Sequence, residues 1–443
     1  MASGANTSNR PARGTQLDLT IESLAYGGRG IARHDGLVVF VTGALPGDRV
    51  RAEVTKSKRS FCEANVTELL DPSPERVPFD GTPDPGAPWA ELAYERQMEV
   101  KQEQTAEALK RIGGLEGFEL EPIEPAESRW RYRNKFEYSF GTDDDGQLVL
   151  GFHARGRWDT VVDVDDTPLA SERGNEIRNE VRAWAREIGL DAYDKRGRFG
   201  VLRNLIVREG MRTGEFQTRL VMSPAEIPEP PVDLVTTVQG DSGSTEGPTI
   251  VRGNEYLHEE LCGLRLRIAP EAFFQTNTEM AERLYGIAAD FAGLTGSELV
   301  YDLFCGIGTL GLTMASRARH VWGLEIVPEA VEDAEHNARA NNLTNTRFVA
   351  GNVRTALRPL IEQAGKPDVV VLDPPRAGLS AKMIRRVIEC EAKRIVYVSC
   401  NPTTLAPNAA QLVEAGYALR TVRPVDMFPQ TPHIECVALL ERA

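Results

Sequence analysis

The chain has 443 residues, with 51 Lys+Arg against 65 Asp+Glu, a formal charge of −14. That length exceeds what one hydrophobic core organises, so two or three domains are expected, and 41% hydrophobic with 26% charged residues excludes a disordered chain. No apolar run approaches the roughly 18 residues of a membrane span, and the first ten residues lack an apolar signal core, so a cytoplasmic protein without a membrane partner is expected. Only 9 of the 51 basic residues are Lys, and such an acidic, Arg-rich surface raises a high-salt cytoplasm as a hypothesis.

In chain order, residues 1–14 are small and polar and read as a disordered tail. Residues 15–71 hold several short alternating runs, such as Leu17, Leu19 and Ile21, with turns at Gly27-Gly28 and Pro46-Gly47-Asp48; these suggest a small OB-type β-barrel. A linker dense in Pro, Gly and Asp follows up to Pro88, to be held by packing through Trp89. Helical periodicity covers Tyr94 to Ile112 and Ser171 to Gly189, within a linker, helix and central α/β domain assigned to residues 72–265. From 266 to 443, apolar runs at 299–303, 321–324, 369–372, 395–398 and 436–440 are separated by helix-length segments, the signature of a doubly wound, Rossmann-like α/β sheet.

Two basic islands interrupt the acidic background. Arg129, Arg131, Arg133 and Lys135 alternate with Trp130, Tyr132 and Phe136, while Lys195, Arg196, Arg198, Arg203, Arg208 and Arg212 crowd a second segment. Each reads equally as a solvated face or as a nucleic-acid contact.

Ligands bind doubly wound sheets beyond the carboxyl ends of the strands, so the residues after each run carry the chemistry. After the first run, Gly306-Ile307-Gly308-Thr309-Leu310-Gly311 forms GxGxxG, which serves nicotinamide and S-adenosylmethionine enzymes alike; Glu325, after the next strand, is placed to hold ribose hydroxyls. Asp373-Pro374-Pro375-Arg376 resolves that split. Two prolines withdraw two backbone donors at a strand end, which structure alone does not demand, and the motif is characteristic of methyltransferases acting on planar centres. Arg376 stands where an adenine-methylating enzyme places an aromatic. The six cysteines form no Cys-x-x-Cys pair, which excludes a disulfide framework or zinc knuckle, and Cys305, Cys390 and Cys436 read as buried apolar residues. Cys400, in Ser399-Cys400-Asn401-Pro402, instead places a thiol at the binding edge, and Glu435 enters the last strand as a general base. His433 reads as structural.

These motifs, in this order and with Phe273-Phe274-Gln275-Thr276-Asn277-Thr278, resemble the RNA uracil-5-methyltransferase family, and residues 15–71 resemble its TRAM domain. The resemblance implies a nucleophilic Cys400 and a proton-accepting Glu435. It places Gln275, Phe304, Thr309, Glu325, Asn352 and Asp373 against S-adenosylmethionine or the uracil, with Thr309 and Asn352 departing from the family's usual Asn and Asp. The iron–sulfur cysteines of many members are replaced by Pro78, Asp84, Ala87 and Thr167, so no cluster and no metal is expected. RNA is the implied partner, 23S ribosomal RNA before transfer RNA, and a monomer is expected. A nicotinamide oxidoreductase would leave Cys400 unexplained, and a noncatalytic RNA-binding protein would leave both Cys400 and Glu435 so.

Overall fold

Period-two burial organises the first strands: Leu17 and Leu19 turn inward from Gln16–Thr20, and Val50, Ala52 and Val54 from Arg49–Ser57. With Phe61–Asp71, Leu37–Thr42, Gly30–His34 and Ser23–Leu24 these strands form one six-stranded sheet around a common core. The computed structural model describes residues 10–81, 84–154, 157, 159–240 and 245–442. Of the expected tail, residues 1–9 lie outside the described residues. Gly14 already donates to the carbonyl of Val54, so the ordered chain begins before residue 15.

Two compact units divide the chain, residues 1–107 with 428–433 and residues 108–427 with 434–443. In the first unit, Trp89 and Leu92 from the end of the linker pack with Leu24, Leu45 and Val100. The helix Tyr94–Glu107 contributes a buried Gln97, whose amide donates to the carbonyls of Trp89 (3.1 Å) and Leu92 (2.9 Å) and to Gln430 Oε1 (2.8 Å). Gln430 N returns a bond to Gln97 Oε1, and Lys101 Nζ donates to the carbonyl of Phe428. Residues 428–433 thus belong to the barrel unit although Gln430 lies 333 positions from Gln97.

The second unit holds two large sheets. The central one runs Val161–Asp163, Leu148–His153, Lys135–Thr142, Leu202–Glu209, Phe216–Met222, Leu234–Val238 and Thr249–Arg252, covered by the helix Glu172–Glu187 with Ser171 as its N-cap. The other runs Thr346–Ala350, His320–Glu325, Leu299–Leu303, Val369–Leu372, Arg394–Ser399, Glu435–Arg442, Tyr417–Val425 and Glu119–Leu120. Its first five strands are parallel, and Glu435–Arg442 runs antiparallel beside Arg394–Ser399. Leu299–Leu303 and Val369–Leu372 are buried along their whole length, as strands covered on both faces must be. No helix among the described residues is long and apolar enough to cross a membrane.

Much of both basic islands serves the fold. Tyr132 and Phe136 are core residues, and Arg131 bonds Asp166 (2.6 Å) and the carbonyls of Thr167 and Ala170. Arg208 donates to the carbonyls of Ala269 and Ala272, and Arg212 is paired with Glu279 and Glu282. Asn134 ties the central sheet to the segment Phe273–Thr278, donating through Nδ2 to the Gln275 carbonyl (3.0 Å) and Thr278 Oγ1 (2.9 Å).

Asp48 is the polar anchor of the first unit. Fully buried, it accepts from Leu45 N (2.7 Å), Ser73 N (2.9 Å) and both Nε and Nη2 of Arg76 (2.8 and 2.9 Å), fixing the start of the linker to the turn before Arg49–Ser57. Burial alone would raise its pKa; the Arg76 guanidinium and the two backbone donors outweigh it and hold the carboxyl below its ordinary 3.8. Replacing Asp48 with Ala leaves Arg76 and two amides without their acceptor and is expected to destabilise this unit by about 3 kcal/mol in thermal or urea unfolding. The wild-type contribution is complete above the unfolded-state value and disappears as pH falls through the depressed folded value, so acid should narrow the gap between the two proteins.

Candidate active site

The candidate residues gather at strand ends. Ser399 pairs with Cys436 across the antiparallel ladder, so the next residues along, Cys400 and Glu435, come opposite one another. Leu372 lies between Leu303 and Tyr397 in parallel register, which sets Asp373 at the same carboxyl edge. Asn401 N-caps the helix Pro402–Glu414 through Thr403 N, and its Nδ2 donates to the Arg376 carbonyl (3.3 Å). Thr404 Oγ1 donates to the same carbonyl. The thiol turn and the Asp-Pro-Pro-Arg turn are therefore joined.

Burial governs the proton affinities. It pushes the Cys400 thiol up to about 11, with the Glu435 and Asp373 carboxylates adding to the shift and the Arg376 charge opposing it. Glu435 is raised well above the carboxylate range by burial and by Asp373, again against Arg376. Asp373 and Asp302 are each pushed up to about 7, chiefly by burial.

The glycine loop lies at the neighbouring strand end. Gly306 and Gly308 take positive φ (54° and 84°), and a Cβ on Gly306 would meet nothing within 4 Å, leaving that side of the loop open for a ligand. Gly311 is required by contact: its Cβ would fall 2.7 Å from Asp302 Oδ2, which accepts the Gly311 N–H at 2.8 Å. Phe304 holds φ at 69°, a strained value for a bulky residue, secured by its N–H to the Leu324 carbonyl. Thr309 is buried as the first residue of the helix Thr309–Ala315. Glu325 accepts from Gly306 N (3.1 Å) with one oxygen and from Ile326 and Val327 N with the other, binding the loop to the next strand. Asn352 caps the helix Val353–Ala364, its Oδ1 taken by Arg354 N.

Asp302 Oδ1 is buried without a hydrogen-bond partner. An orphaned, desolvated carboxyl beside an open glycine loop suits a ligand that is itself cationic, and S-adenosylmethionine carries both a sulfonium and an ammonium charge. Cys305, Cys390 and Cys436 are buried, and His433 packs edge-on against Phe428 in the barrel unit.

Residues 242–443 match the tRNA (uracil-5-)-methyltransferase family and residues 12–67 the TRAM domain. RNA methyltransferases of Clostridium tetani and Halalkalibacterium halodurans are 37% and 35% identical, covering 97% and 96% of this chain and 98% and 96% of their own. The chain belongs to the RNA (uracil-5-)-methyltransferase family. A crystal structure of Pyrococcus abyssi tRNA (uracil-54, C5)-methyltransferase with S-adenosyl-L-homocysteine superimposes with a TM-score of 0.77 at 28% identity, over 96% of this chain and all of that one. The protein is accordingly an S-adenosylmethionine-dependent RNA methyltransferase.

One site residue has no signal in the sequence. Tyr285, on the helix Thr278–Ala292, is buried beside Asp373, Asp302 and Glu435 and is hydrogen-bonded to Gln275; burial, then these carboxylates, raise its pKa well above 10. Its periodicity marks only a core-facing position. Gln275 is thus held at both ends, by Tyr285 on its side chain and Asn134 on its carbonyl.

The raised thiol pKa makes a direct prediction. In the protein without ligands, iodoacetamide labelling of Cys400, followed peptide by peptide in a mass spectrometer, should climb about tenfold per unit from pH 7 to pH 9 without levelling, because only the thiolate reacts. A plateau below pH 8 would contradict the electrostatics described.

Proposed function

We propose that this enzyme methylates carbon 5 of a uridine through a covalent bond between Cys400 and the base, and that its substrate is 23S ribosomal RNA. The observation that carries the chemistry is the register that sets Cys400 opposite Glu435, with Asp373 at the same buried edge. The uridine must leave its stack to reach this edge. Gln275 then meets the polar rim of the ring, while Phe304, Thr309, Glu325, Asn352 and Asp373 border the cofactor.

Carbon 5 of uracil is a poor nucleophile. Addition of Cys400, as its thiolate, to carbon 6 pushes the ring electrons onto carbon 5 and the carbonyl oxygen, creating an enolate. S-adenosylmethionine, when bound, supplies the methyl group as a sulfonium electrophile. Glu435 removes the remaining proton from carbon 5; the carbon 5–carbon 6 double bond re-forms, the carbon 6–sulfur bond breaks and Cys400 departs as thiolate. The high proton affinity of buried Glu435 makes it a strong acceptor once ionised, and Arg376 favours both the carboxylate and the thiolate.

The ribosomal assignment rests on the TRAM domain, a separate RNA-binding surface suited to a large folded RNA. A second reading, transfer RNA, is favoured by the Pyrococcus relative, whose name gives tRNA uracil 54 and whose length this chain spans completely.

Cys400→Ala should abolish methyl transfer while leaving S-adenosylmethionine affinity within about twofold, and RNA carrying 5-fluorouridine should trap the wild type as an adduct on a denaturing gel. Glu435→Gln should accumulate adduct on ordinary RNA; normal turnover without adduct would remove Glu435 from the mechanism. For the target, nucleoside mass spectrometry on separated ribosomal and transfer RNA from cells with and without the gene should show 5-methyluridine lost from the large-subunit RNA. Loss from transfer RNA alone would overturn that assignment and leave the chemistry standing.

A further inference from the structure

Outside the active site, a cleft of about 480 Å³ opens in the central domain, within the roughly 300–1,000 Å³ range of small-ligand sites. Ser139, His153 and Asn204 come from its strands, and Tyr193, Lys195 and Arg196 from the segment leading into Leu202–Glu209. Lys195 and Arg196 belong to the second basic island, whose other end, Arg208 and Arg212, is bonded within the fold. The cleft therefore gathers Lys195, Arg196 and Arg203 of that island on one wall.

Its chemistry is specific in two respects. The Arg203 guanidinium carbon lies 3.4 Å from the centre of the Tyr193 ring, so the cation stacks over the aromatic face and the pair forms a two-layered plate on the wall. Charge is positive in excess: Lys195, Arg196 and Arg203 line the cleft with two carboxylates, Asp159 and Asp194. Asp159 pairs with Arg196 (3.2 Å), and Asp194 accepts the backbone N–H groups of Arg196 and Gly197, which shapes the turn. Beside the plate, Asn204 Nδ2 donates to Ser139 Oγ, which lies 3.2 Å from His153 Nε2, a polar row able to exchange hydrogen bonds with a ligand.

A cationic rim around an aromatic–guanidinium plate selects a flat, anionic ligand, and a cleft of this volume excludes a duplex. We propose that it binds one unstacked nucleotide of the RNA substrate, with the phosphate at Lys195 and Arg196 and the base against the Tyr193–Arg203 plate. This deepens the RNA methylation reading and rests on it. A second held nucleotide, at a fixed place on the central domain, would set the register in which the target uridine reaches Cys400.

The test uses the full chain and a synthetic uridine-containing stem-loop with a single-stranded flank. Lys195→Glu and, separately, Tyr193→Ala should each weaken binding by about tenfold or more in fluorescence anisotropy, with S-adenosylmethionine affinity unchanged as the control for folding. Lys195→Glu should also flatten the slope of log affinity against log salt by about 0.7 or more, the single-strand value for one lost phosphate contact. RNA substituted with 4-thiouridine should cross-link to the peptide containing residues 193–204. Variants that bind RNA like the wild type, cross-links confined elsewhere, or uridine monophosphate held in the cleft and not displaced by RNA would each overturn the proposal. If those results accompany a normal 5-fluorouridine adduct, the cleft assignment alone fails; if the wild type binds no RNA, the methylation reading fails with it.

Discussion

Desolvation of acidic groups at the carboxyl edge of the parallel sheet is the constraint on which the site depends. Strands covered on both faces leave functional residues only at their ends, and there Asp302, Asp373 and Glu435 lose water, with one oxygen of Asp302 left without a hydrogen-bond partner. Their protons are held more tightly than in water, and the thiol of Cys400, in the same surroundings, resists ionisation as well. Arg376 is the cation that opposes both Cys400 and Glu435.

The same economy explains the contrast between an acidic chain and a polyanionic substrate. Several of the arginines crowded into the basic islands satisfy carbonyls and carboxylates of their own compact unit, as Arg131 does with Asp166 and Arg208 with the turn at 269–272. Those contacts set the Phe273–Thr278 segment against the central sheet, with Asn134 bonding it at Gln275 and Thr278. Affinity for RNA must then come from the fewer cations left at specific places, which favours position over indiscriminate attraction.

The barrel unit adds a different kind of order. Residues 428–433, immediately before Ile434 and Glu435 in the chain, are bonded to Gln97 and Lys101. The linker is likewise fixed at one end by Asp48 and at the other by the packing of Trp89. A run rich in proline and glycine thereby becomes part of a core.

By itself the sequence determined the fold class, the strand ends that carry chemistry and the identity of Cys400, Asp373 and Glu435 as candidates, because apolar runs, glycine turns and proline-locked strand ends are local signals. It did not mark Thr346–Ala350 or Tyr417–Val425 as strands; each mixes buried and exposed positions and lacks a continuous apolar run. Alternation at Tyr132 and Phe136 was legible but was equally compatible with an RNA face, and only burial in the central domain decided for the core. Tertiary structure alone decided that Cys400 and Glu435 stand opposite each other, that Tyr285 holds Gln275, and that Lys195 and Arg203 share a cleft. Each of these depends on which distant segments pair, and that is settled by burial and closure of the whole chain rather than by any window of residues.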